Sequence, residues 1–133
     1  MKPTKPKIRR LLKLAKHLES GKLGHDQFNY SIYHDEDICG TAGCAIGECP
    51  FVFPEHWVFR RTGRYGVKFL KLKSAKPGQL TRDSSMEFFG LSLAQHQFLF
   101  VPGMRGSPLS VIASRQEVAA HIRKFVEKIR AGV

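Results

Sequence analysis

Asp35-Glu36-Asp37-Ile38-Cys39-Gly40-Thr41-Ala42-Gly43-Cys44-Ala45-Ile46-Gly47-Glu48-Cys49-Pro50 is the stretch on which the reading of the fold turns. It holds all three cysteines of the 133-residue chain, three of its twelve glycines and four carboxylates. Small side chains dominate its centre, so the segment must approach its neighbours closely. Thr41 has the chemistry of an N-cap, which predicts a short helix running through Glu48, with Pro50 forbidding its continuation. On this reading the helix is the central element, and Gly40, Ala42, Gly43, Ala45 and Gly47 let other elements press onto it.

Three chemistries compete for the cysteines. The first is metal binding through Cys39-x4-Cys44-x4-Cys49, with His34, Asp35, Asp37 and His56 nearby. Structural zinc sites favour pairs spaced C-x₂₋₄-C, so this spacing sits at the edge of the range. Residues five apart on a helix also point about 140° apart, which keeps three thiolates from converging. A zinc-supported module therefore needs a fourth ligand from His34 or His56. The second is a nucleophile. Cys39 precedes the expected helix N-terminus, where the dipole favours a thiolate, and the N–H groups of Gly40 and Thr41 offer an oxyanion hole. With a base from His34, His56 or His96 this describes a Cys39-dependent hydrolase or transferase. The adjacent Asp35, Glu36 and Asp37 oppose it, because neighbouring negative charge raises a thiol pKa. The third is scaffold: cysteine outside a disulfide is among the most buried residue types. We prefer the scaffold reading, which assigns no catalytic residue, no metal ligand and no cofactor.

Outward from this stretch the charge changes sign in blocks. The formal net charge is +11. Residues 1–24 carry eight basic side chains and one acidic one, residues 25–57 six acidic and no Lys or Arg, and residues 58–82 eight basic and no acidic ones. Such a balance points to an anionic partner. The acidic block has two readings: it neutralises the chain's own basic neighbours, or it meets those of a second copy.

Toward the N-terminus, residues 1–7 read as a flexible basic tail. From Ile8, the apolar residues Ile8, Leu11, Leu12, Ala15 and Leu18 fall at helical spacing, with Arg9, Arg10, Lys13 and Lys16 on other faces, and Gly21 is placed to stop the helix. Toward the C-terminus, Phe51 to Pro54 reads as an apolar connector. Residues 57–73 read as a projecting basic β-hairpin, with Thr62-Gly63-Arg64-Tyr65-Gly66 supplying the turn. Arg60, Arg61, Arg64, Lys68, Lys71 and Lys73 lie close together there, with Trp57, Phe59, Tyr65 and Phe69 interleaved. A two-stranded ribbon of this kind fits a nucleic-acid groove, and aromatics beside arginines stack on unpaired bases. Ser84-x-x-Glu87 matches a capping box for a short helix ending near Gly90. Ser92 caps another through Phe100, and Ser114-x-x-Glu117 opens a helix whose stripe is Val118, Ile122, Phe125, Val126 and Ile129. His17, His25, His96 and His121 read as surface or satisfied core residues.

These elements resemble, in order, those of a group of uncharacterised small proteins of bacteria and their phages. The resemblance is carried by Phe28-Asn29-Tyr30-Ser31, by Cys39-Gly40-Thr41-Ala42-Gly43-Cys44-Ala45-Ile46-Gly47, by Gly90-Leu91-Ser92 with Leu99-Phe100, and by Val118-Ala119-Ala120-His121-Ile122-Arg123-Lys124-Phe125. It implies a shared fold and a mobile-element setting, and it carries no catalytic assignment.

Together these readings give a single domain over residues 1–133, α+β and mainly helical, in which the N- and C-terminal helices pack a central small-residue helix. The expected function is that of a non-enzymatic phage or mobile-element accessory protein whose basic surface engages nucleic acid or an acidic protein partner. Arg60, Arg61, Arg64, Lys68, Lys71 and Lys73 are the expected contact residues. An odd cysteine count argues against a secreted disulfide framework, and no run approaches the roughly 18 apolar residues of a membrane span. A cytoplasmic location without a membrane partner is therefore expected.

Overall fold

Helix α1 runs from Lys5 to Ser20. It starts inside the segment expected to fray, because Pro6 lies in the first turn, where a missing N–H costs nothing. It ends on Gly21, whose φ of 80° is left-handed and needs no Cβ. Ile8, Leu11, Leu14, Ala15 and Leu18 are its buried face. Leu14 joins the stripe, and Leu12 is only partly buried.

A computed structural model describes residues 4–21, 27–28, 42–43, 45–62, 67–76, 79, 81–100 and 114–132. The described structure is mostly helical. Strand β1, Gln27–Phe28, pairs in parallel with β2, Ala42–Gly43. A 3₁₀ turn at Ile46–Glu48 leads into helix α2, Cys49–Val52. The expected helix from Thr41 to Glu48 is thus corrected. Ala42 and Gly43 use their backbone groups in strand pairing, and glycine costs about 1 kcal/mol relative to alanine inside a helix. Pro50 opens α2 rather than closing an earlier helix, since proline is tolerated in a first turn. The segment is nonetheless buried from Ala45 to Cys49, while the N- and C-terminal helices, expected to pack onto it, pack chiefly on each other.

Strand β3, Trp57–Thr62, pairs antiparallel with β4, Val67–Leu72, in a register that sets Trp57 opposite Leu72 and Thr62 opposite Val67. Helix α3, Thr81–Phe89, begins three residues before the expected capping box. Ser84 is buried within it, and its hydroxyl accepts from the Leu72 N–H at 3.2 Å and from Gln79 Nε2 at 3.2 Å. The serine therefore ties the end of β4 to α3 instead of capping. Gly90, with φ 67°, ends α3, and the Leu91 N–H returns to the Met86 carbonyl at 2.9 Å.

Helix α4, Leu93–Phe100, starts on a reciprocal Ser92–Gln95 cap. Helix α5, Arg115–Arg130, starts on the Ser114–Glu117 capping box and buries Val118, Ala119, His121, Ile122, Phe125 and Val126. The most extensive contact between helices is that of α1 with α5. At its edge Arg115 Nη1 donates to the Leu18 carbonyl at 2.8 Å, satisfying the C-terminus of α1, and Arg123 grips Glu19 bidentately at 2.8 and 2.7 Å. Phe53, Trp57, Phe88, Phe89 and Phe100 form an aromatic cluster, with Phe53 and Phe88 edge to face at 4.8 Å.

Candidate functional site

Lys7, Arg10 and Lys13 recur every three residues along α1, and Arg9 lies one helical turn before Lys13. The residues after α2 fold back toward this basic face. Val52 and Phe53 are buried, and the Phe53 carbonyl accepts from the N–H groups of both His56 and Trp57 at 3.0 Å, a tight turn that launches β3. Between helix and turn lies an open hollow of about 560 Å³, lined by Arg9, Arg10 and Lys13 on one side and by Phe51 to His56 on the other. A second hollow of about 290 Å³ shares Arg10, Glu55 and His56 and continues to Lys7, Lys73 and Ser74. The two make one track along α1 to the root of the strand pair. There the Lys73 N–H donates to the His56 carbonyl at 2.8 Å.

Several of the cations are held in place. Arg10 Nη1 donates to the Phe88 carbonyl at 2.8 Å, and its guanidinium carbon lies 4.1 Å from the centroid of the Phe88 ring. Lys7 Nζ donates to the Glu87 carbonyl at 3.0 Å. Both carbonyls belong to the last turn of α3, the negative end of that helix. Lys13 Nζ sits 5.4 Å over the Phe53 ring. The carboxylates on the track are Glu55 and Glu87.

Of the residues expected to contact a partner, Lys73 is exposed and lines this track. Arg60, Arg61, Lys68 and Lys71 belong to β3 and β4, and Arg64 lies outside the described residues. The register pairs Arg61 with Lys68, Arg60 with Phe69 and Val58 with Lys71. Trp57 is 1% exposed and packs on Phe88, which removes it as a stacking platform. The structure adds Lys7, Arg9, Arg10, Lys13, His56 and Phe51, none of which was among the expected contact residues. The helical spacing of the α1 cations was visible in the sequence. The return of Phe51 to His56 onto them was not.

The stretch from Asp35 to Pro50 contributes no site among the described residues. Cys39, Cys44, His34 and the Asp35–Asp37 run lie outside them, and Cys49 is fully buried at the start of α2. Among the described residues no three of His, Cys, Asp and Glu converge as a metal site would require. Glu48 is fully buried and hydrogen-bonds His17 Nε2 at 2.8 Å, so this member of the acidic block meets α1 rather than the strand pair.

The remaining described histidines are core residues. His96 Nδ1 lies 3.0 Å from the Ser85 hydroxyl, with both side chains buried. His121 Nε2–H donates to the Phe98 carbonyl at 2.9 Å. Burial pushes the His121 pKa below its ordinary value; the bond to Phe98 opposes this, and the cations Lys124 and Lys128 add to it. Among the described residues no helix is long and apolar enough to cross a membrane. Comparison of this chain with family models, with curated proteins and with solved structures gives no match.

Proposed function

We propose that this chain is a non-enzymatic nucleic-acid-binding protein whose contact surface is the basic face of α1 together with the root of the β3–β4 pair. One observation carries the reading: Lys7, Arg9, Arg10, Lys13 and Lys73 line a single track, with Glu55 and Glu87 as its carboxylates. Such a concave row of cations suits a phosphate backbone, and it is partly pre-ordered by the carbonyls of α3. On this reading the chain is an α+β domain, and the strand pair is a basic hairpin that extends the same surface. The resemblance to bacterial and phage proteins supports an accessory role in a mobile element.

The test is binding of labelled duplex and single-stranded DNA and RNA at low salt. The triple variant Arg9→Ala/Lys13→Ala/Lys73→Ala should weaken binding while leaving the fold intact, since all three side chains are exposed. Arg60→Ala/Arg61→Ala/Arg64→Ala measures the separate share of the strand pair. A chain that binds none of these nucleic acids at low salt would sink the proposal.

A further inference from the structure

The larger hollow carries an apolar feature that a phosphate-binding surface does not need. Phe51 is one of two large hydrophobic residues exposed among the described residues, at 48%, and it lines the hollow together with Arg9 and Lys13. Its neighbours Val52 and Phe53 are buried, so α2 pins the backbone while the ring stays at the surface. An exposed ring that shares the lining of an open hollow with two cations has the makings of a base-stacking platform: the ring takes the face of a base, and the cations take the phosphates on either side. Bases in a duplex are already stacked on each other and present only their edges.

We infer that the track binds an unpaired nucleic-acid strand, with a base stacked on Phe51 and its flanking phosphates on Arg9 and Lys13. The inference rests on the proposed nucleic-acid function and narrows it to single strands. Glu55 stands beside the platform and repels the same backbone, so the site as built is weaker than its cations alone would make it.

Fluorescence anisotropy with labelled single strands, both DNA and RNA, and with the matching DNA duplex tests this. The parent chain should prefer the single strands. Phe51→Ala should lose about 5- to 100-fold of single-strand affinity, the range that stacking of one base supports, with duplex binding unchanged. Phe51→Trp should retain affinity, and Phe51→Leu, apolar but without a π face, should lose it. Thermal melts check that each variant stays folded. Equal losses for duplex and single strand, no loss in Phe51→Ala, or retained affinity in Phe51→Leu would overturn the stacking inference while leaving the basic-surface reading standing. Absence of binding to any probe at low salt would overturn both. A marked difference between DNA and RNA strands in the parent, abolished in Phe51→Ala, would support the platform and assign it the sugar it prefers.

Discussion

Salt dependence gives the most direct quantitative test of the proposed surface. Binding to a polyanion releases condensed counterions, and the slope of log K against log salt is about −0.7 per neutralised phosphate for single strands and −0.9 for duplex. Five cations line the track: Lys7, Arg9, Arg10, Lys13 and Lys73. If each meets one phosphate, the slope is roughly −3.5 for a single strand and −4.5 for a duplex. Raising salt from about 50 to about 200 mM should then lower single-strand affinity roughly 100-fold and duplex affinity roughly 500-fold. Removing Arg9, Lys13 and Lys73 leaves two cations, a single-strand slope near −1.4, and a fall of only about sevenfold over the same range. Anisotropy titrations at four or five salt concentrations read all of these values. A slope shallower than about −1 in the parent, or an unchanged slope in the triple variant, would refute the argument, because contact through this track cannot avoid displacing counterions. If instead Arg60→Ala/Arg61→Ala/Arg64→Ala removes most of the slope, the surface lies on the strand pair and the α1 track is incidental.

Three further outcomes concern the scaffold. His17→Ala should lower stability by about 2–4 kcal/mol in urea unfolding, because it takes the imidazole away from a fully buried carboxylate, whereas Glu48→Gln keeps an acceptor for His17 and should cost about 1 kcal/mol; the reverse order would contradict the pairing. His121 has a depressed folded-state pKa, so the unfolded chain takes up its proton first as pH falls. The stability His121 contributes is therefore fully present above its ordinary value of about 6.5 and is lost as pH drops through that value toward the folded one. The melting-temperature difference between the parent and His121→Gln should shrink from pH 8 to pH 5, and a constant difference would remove this assignment. Gly90→Ala should cost about 1–2 kcal/mol, because φ at 67° places a Cβ against the following carbonyl; a neutral result would mean that α3 ends differently.

How much of this the sequence discloses depends on which force decides each element. Helices α1 and α5 are legible from the spacing of their buried residues, and α4 and α5 start on the caps at Ser92 and Ser114 that the sequence offers. The start of α3 is misread because Ser84 has two uses for its hydroxyl, and the N–H of Leu72, twelve residues away, wins over the local cap. The stretch around Gly43 is misread for a related reason. Thr41 and the small residues suit a helix locally, while a partner at Gln27 and Phe28 draws Ala42 and Gly43 into a ladder that no local window contains. The candidate site follows the same rule. The α1 cations are periodic and visible, but the hollow exists only because Phe51 to His56 doubles back over them. Trp57 shows the converse: local composition places it among stacking aromatics, and its position at the buried root of the ribbon places it in the core.

Of the acidic block's described carboxylates, Glu48 bonds His17 of α1 inside the fold and Glu55 lines the track beside Arg9, Arg10 and Lys13. The positive face of α1 is steadied mainly by dipoles: carbonyls at the end of α3 hold Lys7 and Arg10, and the rings of Phe88 and Phe53 lie under Arg10 and Lys13. Dipoles and ring faces fix a cation's position without cancelling its net charge, so the field of the track persists while part of the side-chain entropy is already spent. This arrangement decides which substitutions report on binding. Arg10→Ala removes a helix cap and a ring contact along with a charge, so loss of binding in that variant would be ambiguous. Arg9, Lys13 and Lys73 are all exposed, so their removal changes the field of the track with little change in the fold.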